Sequence, residues 1–240
     1  MKAKIKDKKE IAQGTLMVIF DLLGEQPLFK AGQYFFLTLP NLMYPDERGP
    51  RRHFSITNSP NEKGVLKMAT RLSDSGFKKT LQQLPVGSEV EVGPIAGTFT
   101  LPEDLVFTSE GRKLCFIAGG IGITPFMSML SFISEGKLPA NIILIYSNRN
   151  RQSSAFLKEL EDLSKTIPNL KLVLTMTEDD SWQGEKRRID AKFLKDYIHK
   201  LINPYFYVVG PPAMTEAVVE EIHKIGVSDG NIRIEKFTGY

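Results

Sequence analysis

Over the first hundred residues apolar positions come in short runs, many alternating with polar ones, and the runs are broken by Gly, Pro and Asn clusters. Residues 11–23, 33–39, 51–57, 65–72 and 89–92 are rich in Val, Ile, Phe, Tyr and Thr, a pattern that predicts strands. Strands at such close spacing predict an antiparallel barrel. Only residues 75–84 carry helical spacing here, with Phe77, Leu81 and Leu84 on one face and a stop at Pro85-Val86-Gly87. The rhythm changes from Lys113 onward. Apolar runs over 114–118, 141–146, 170–176 and 206–209 alternate with helical patterns such as Phe156-Leu160-Leu163 and Met214-Val218-Ile222-Ile225. Strands alternating with helices predict βαβ units, hence a parallel sheet covered on both faces. The polar stretch 103–112 is the expected linker, which divides the chain into residues 1–105 and 106–240.

Composition supports two packed domains and narrows the chemistry. The 240 residues are 42% hydrophobic and 25% charged, as in an ordinary globular protein. A net charge of +3 spread along the chain gives no electrostatic case for nucleic acid. Cys115 is the single cysteine and sits in an apolar run, so neither a disulfide nor a cysteine-held iron-sulfur centre can form within the chain. His53, His199 and His223 have no ligand-like spacing, and no metal site is expected. The charged N-terminus lacks a following apolar segment, which leads to a cytoplasmic expectation. Residues 114–133 are free of charge over a membrane-span length, but Gly119, Gly120, Gly122, Thr124 and Pro125 interrupt them, so a strand, a turn and a helix are expected instead of membrane insertion.

Three segments carry candidate chemistry. Residues 116–125 run from a buried strand through Gly119, Gly120, Gly122 and Ile123 to Thr124 and Pro125 at a helix start, a turn suited to a pyrophosphate. A turn that needs glycine for conformation alone would look the same. The strand ending at Gly210, followed by Pro211, Pro212 and Met214, supplies a second strand-to-helix turn, and in a parallel sheet both would lie at one edge. In the barrel, Arg51-Arg52-His53-Phe54-Ser55-Ile56-Thr57 offers a guanidinium, an aromatic face and a hydroxyl, which a flavin requires, although an edge strand alternates in the same way. Ser147 and Arg149 follow the second strand of the later sheet, where an arginine receives a 2′-phosphate or is simply solvated, so NADH and NADPH both stay open.

The order and spacing of these motifs, together with Lys67 to Arg71, Gly76-Phe77-Lys78, Gly93-Pro94-Ile95-Ala96-Gly97 and Gly210-Pro211-Pro212, resemble the ferredoxin-NADP reductase superfamily over nearly the whole chain. The resemblance implies a two-domain molecule: a six-stranded antiparallel Greek-key β-barrel binding FAD (residues 1–105), then an α/β domain with a five-stranded parallel sheet binding NAD(P) (residues 106–240). It implies that Arg52 holds the FAD diphosphate, with His53 beside it, while Phe54 packs on the ring and Ser55 addresses its reactive nitrogen. Met68, Ala69 and Thr70 would contact the ring edge or ribityl chain, and Gly76, Phe77 and Lys78 would offer N–H groups to the diphosphate. Lys78 and Lys79 stand where some members carry serine, which leaves FMN as the alternative flavin. The glycine turn would take the NAD(P)H pyrophosphate, and residues 210–214 would flank the nicotinamide, with Val209 where many members have cysteine. Glu235 is the implied acidic catalytic residue, and Phe237 or Tyr240 would cover the flavin. The implied activity is hydride transfer from NADH or NADPH, with electrons passed to a ferredoxin, an oxygenase component or a small-molecule acceptor. A free-flavin reductase or a redox-sensing nucleotide-binding module is the alternative.

Overall fold

The computed structural model describes residues 1–103, 112–198 and 204–237. Most of the expected linker, His199 and Tyr240 lie outside the described residues. Of the described residues, 1–101 with 124–132 make one compact unit, and 102–103, 112–123 and those from 133 to 237 make the other.

In the first unit, strands β1 (Lys2–Ala12), β2 (Thr15–Asp21), β3 (Tyr34–Thr38), β4 (Arg51–Ser55), β5 (Val65–Arg71) and β6 (Glu89–Ala96) form an antiparallel sheet in the order β4-β3-β6-β1-β2-β5. Its two outer strands are joined just past β4. The Thr57 N–H donates to the Lys67 carbonyl at 2.9 Å, and the Lys67 N–H to the Asn58 side chain at 2.9 Å, which draws the sheet round its core. That core contains Val18, Phe20, Phe35, Leu37, Leu66, Met68 and Val90.

Helix α1 (Gly76–Gln83) forms where the spacing predicts it. Ser75 caps its N-terminus by accepting the Lys78 N–H at 3.2 Å, and Phe77 and Leu81 are buried. At the other end, Lys8 of β1 donates to the carbonyls of Gln82 (2.7 Å), Leu81 (3.3 Å) and Leu84, placing a cation on the negative end of the helix. The expected strand over residues 11–23 is instead a hairpin of β1 and β2. Its turn passes through Gly14 at φ +66°, and its first strand buries Ala3 and Ile5 between exposed lysines.

In the second unit, β7 (Arg112–Gly119), β8 (Ala140–Asn148), β9 (Leu170–Met176), β10 (Tyr205–Gly210) and β11 (Ile232–Lys236) are all parallel, in the order β11-β10-β7-β8-β9. Helices α2 (Thr124–Gly136), most of which is counted with the first unit, α3 (Leu157–Thr166), α4 (Ala191–Ile198) and α5 (Pro212–Lys224) follow successive strands. On one face Cys115, Ile117, Ile143 and Ile145 pack with Phe193 and Leu194 of α4 and with Val218 and Ile222 of α5. Leu114, Phe116, Ile142 and Leu144, pointing the other way, are buried too, as in a sheet covered on both sides. Strand order reverses between β7 and β10, and in open parallel sheets the crevice at the carboxyl ends of such a pair is where ligands bind. Among the described residues no helix is long and apolar enough to cross a membrane.

Candidate functional site

The barrel gathers its chemistry where β4 meets α1. Arg52 and Phe54 pair with Leu37 and Phe35 of β3, so both project to one side of the strand, whereas His53 pairs with Phe36 on the opposite side. His53 is exposed there, with its ring centroid 5.1 Å from that of Tyr34. On the first side, the Phe54 and Phe77 centroids are 5.9 Å apart and the Arg52 guanidinium lies 5.3 Å from the centroid of Phe77. Ser55 is buried at the end of β4, and Met68, Ala69 and Thr70 are buried on β5.

Arg52 is held by the turn that precedes it. Its Nη1 donates to the carbonyls of Arg48 (2.8 Å), Gly49 (2.9 Å) and Arg51 (2.7 Å), and its Nη2 donates to Asp46 Oδ1 at 2.5 Å. The other oxygen of Asp46 accepts the Phe77 N–H, at 2.9 Å, in the first turn of α1. With the Lys78 N–H on Ser75, two donors that the resemblance assigns to a diphosphate already have partners inside the chain. The segment over α1 is closely fitted. The Tyr44 carbonyl oxygen is 2.6 Å from where a Cβ of residue 76 would stand and that of Pro45 is nearer still, so only glycine fits. The Phe77 N–H bond, ahead of the Arg52 charge, holds the Asp46 carboxyl below the usual range. Burial lowers the Lys78 ammonium, and the positive charges of Arg48 and Arg52 lower it further. Desolvation by its neighbours and then the positive charge of Arg48 lower the His53 imidazole. Asp46 thus ties the Arg52 guanidinium to a helix N-terminus, and Arg48, Arg52 and Lys78 lie close enough for the two arginine charges to act on the lysine, a cationic setting that suits a phosphate ester.

The second cluster lies at the reversal of the parallel sheet. Ala118 pairs with Val209, Gly119 with Ser147, and Val209 with Glu235, so β8, β7, β10 and β11 end side by side and their following turns share one edge. This is the arrangement expected for the two turns. Close approach decides which glycines are obligatory. A Cβ on Gly122 would stand 2.5 Å from the Val209 carbonyl oxygen and 3.1 Å from the Gly210 nitrogen. A Cβ on Gly119 would meet the Met214 sulfur and lie 3.3 Å from Pro211 Cδ. Gly120, at φ +54°, faces open space. The turn enters α2 through a short 3-10 segment, Gly120–Ile123, with Thr124 the first residue of the helix, Pro125 following it, and no side-chain cap at Ile123. Pro211 occupies the N-cap position of α5, and Pro212 is its first residue.

Glu235 stands out electrostatically. Its Oε2 is buried without a hydrogen-bond partner among the described residues, and burial raises its carboxyl to about 7. The Phe237 N–H donates to the Gly210 carbonyl at 3.0 Å, tying the segment after β11 to the end of β10. Arg149 is exposed and 3.9 Å from Glu178, a solvated pair beyond β8.

Comparison with known proteins identifies both domains. Residues 2–100 match the oxidoreductase FAD-binding domain, and residues 116–220 match the oxidoreductase NAD-binding domain. The chain belongs to the ferredoxin-NADP reductase superfamily. Among its relatives in this superfamily, the phenol hydroxylase P5 protein of Acinetobacter pittii is 25% identical, covering 98% of this chain and 64% of that protein. The reductase component of phenol 2-monooxygenase from a Pseudomonas species is 28% identical, covering 87% of this chain and 58% of its own length. The chain therefore spans about six-tenths of these curated relatives. The solved ferredoxin NADP+ reductase of Neisseria gonorrhoeae, with bound FAD and NADP, superposes with a TM-score of 0.80 at 21% identity, covering 98% of both chains. The FAD-binding domain of this superfamily member is the six-stranded barrel, and its NAD-binding domain is the parallel sheet. Within the FAD-binding domain the sequence reading singled out Arg52 and α1 but not Asp46 and Arg48, which lie in the turn before β4 and come to Arg52 only once that turn folds back.

Proposed function

We propose that the chain is a flavin-dependent reductase that oxidises NADH or NADPH and hands the electrons to a separate acceptor, either a protein component such as a ferredoxin or oxygenase or a small molecule. The observation that carries this is the cationic cluster of Arg48, Arg52 and Lys78 beside Phe54, lying in the segment that matches the FAD-binding domain of a chain that also has a glycine-lined sheet reversal. FAD, when bound, supplies the chemistry of accepting a hydride and releasing electrons singly or in pairs.

The residues of this chain bind, orient and manage protons. Arg52 and Lys78 receive the diphosphate of FAD, or the phosphate of FMN, and Phe54 gives the ring an apolar wall. The stretch Ala69–Thr70 of β5 borders the ring edge or ribityl chain, with Met68 packed behind it in the barrel core, and the Ser55 hydroxyl at the end of β4 fixes the ring by hydrogen bonding. In the NAD-binding domain the close packing of Gly119, Gly122 and Gly210 brings backbone N–H groups to the pyrophosphate, and Pro211, Pro212 and Met214 bound the nicotinamide side. Ser147 and Arg149 face the adenosine half, where Arg149 receives the additional phosphate of NADPH if that is the donor. Glu235, protonated up to about pH 7, holds a proton at its carboxyl beside Val209, available to a reacting group. Phe237 shields the site from water.

Purified protein mixed anaerobically with NADH or NADPH should lose its yellow absorbance; persistence of the colour with both donors would end the proposal. Steady-state rates with ferredoxin, cytochrome c and free flavin then identify the acceptor class, and uniformly slow turnover with all three would favour a sensing module over a reductase.

A further inference from the structure

Asp46 is unexpected in a frame suited to phosphate. Its two oxygens bridge Arg52 Nη2 at 2.5 Å and the Phe77 N–H at 2.9 Å, and it also accepts the Arg48 N–H at 3.0 Å. The side chain is 5% exposed. A carboxylate that spans a guanidinium and a helix N-terminus with its two oxygens satisfies the same donors as two oxygens of a phosphate group would. The surroundings are cationic as well, since Arg48 and Arg52 both act on the neighbouring Lys78. Arg52 does not depend on Asp46 for its placement, since its Nη1 keeps three carbonyl acceptors from residues 48, 49 and 51. The segment carrying Asp46 has other anchors as well: the Met43 N–H donates to Thr80 Oγ1 at 3.0 Å, and Gln83 donates to the Tyr44 hydroxyl at 2.7 Å.

We propose that Asp46 is an internal stand-in for the flavin phosphate, occupying the Arg52 and Phe77 donors in the cofactor-free chain and swinging out of them when the phosphate enters. The inference rests on the flavin-binding assignment and deepens it. The side chain exchanges and the backbone of the turn stays, because Met43 and Tyr44 remain tied to α1 and Arg52 remains tied to the turn. Asp46 then sets flavin affinity by competing for donors and repelling the incoming anion, and the competition acts on the phosphate portion of the cofactor only.

The full chain, stripped of flavin, is titrated with FAD, with inorganic pyrophosphate and with riboflavin, which carries no phosphate, in the wild type, Asp46→Asn and the smaller Asp46→Ser. FAD and pyrophosphate should bind both variants about tenfold or more tightly than the wild type, since a competing charge-assisted contact has been removed, while riboflavin affinity stays unchanged. Folded variants that bind FAD more weakly than, or equally to, the wild type would overturn the inference, because Asp46 would then be orienting Arg52 or playing no part. An equal gain for riboflavin would also overturn it by placing the effect on the ring. If neither the wild type nor the variants bind any flavin, the flavin assignment itself fails, an outcome distinct from a wild type that binds and a variant that does not improve.

Discussion

Gly120 and Gly122 sit two residues apart in one turn, yet different forces hold them to glycine. At Gly122 the obstacle is contact: a methyl group would press on the Val209 carbonyl at 2.5 Å, and backbone cannot yield as a side-chain tip can. Gly122→Ala should cost about 2 kcal/mol or more and abolish NAD(P)H binding by shifting the turn. At Gly120 the obstacle is only φ +54°, with nothing within 4 Å, so Gly120→Ala should cost about 1 kcal/mol and spare the packing. Thermal unfolding of the two variants tests the contrast. Glu235 offers a second test at this scale. The folded carboxyl keeps its proton to about 7, whereas an unfolded glutamate loses it near its ordinary value of 4.5. Between those values the folded state binds more protons than the unfolded, so stability falls as pH rises through that window and is level above it. Glu235→Gln should flatten this slope and raise stability at pH 8 by roughly 1–3 kcal/mol. Urea unfolding at pH 5 to 8 measures both slopes, and identical slopes would show that the burial of Glu235 has no energetic consequence.

Among the elements, α1 depends on a strand distant in sequence. Lys8 closes the C-terminal carbonyls of α1, and Lys8→Met should destabilise the barrel unit by about 1–2 kcal/mol while leaving its stem packing in place. Protection of the α1 amides from hydrogen exchange should fall with it. No sequence signal announces this contact, and the strand that bears it was itself illegible. Residues 1–10 gave no strand signal because their inward residues are only Ala3 and Ile5, too sparse and too small to stand out. The inner parallel strands were legible for the opposite reason: buried on both faces, β7, β8 and β10 carry the apolar runs 114–118, 142–146 and 205–209. At the site, glycines, prolines and Arg52 were visible because turn geometry and anion binding restrict residue type. Asp46 carried no such signal, since an aspartate in a turn is ordinary and its partnership depends on a fold-back that spacing does not reveal.

For the molecule as a whole, two units with separate cores imply two separable stabilities. FAD at about a hundred times its dissociation constant should stabilise the unit that binds it by about 2.7 kcal/mol, and NAD(P) should act on the other unit by the same law. Calorimetry of the flavin-free chain with each ligand in turn tests this, and a single transition raised equally by either ligand would mean that the cores melt together. Cys115, fully buried in β7, adds a practical consequence. Burial pushes its thiol well above the ordinary value, and maleimides attack only an accessible thiolate. The natural chain is thus silent to such reagents, and two cysteines introduced on the surface, one per unit, would take spin labels cleanly enough to gauge the separation of the units before and after nicotinamide arrives.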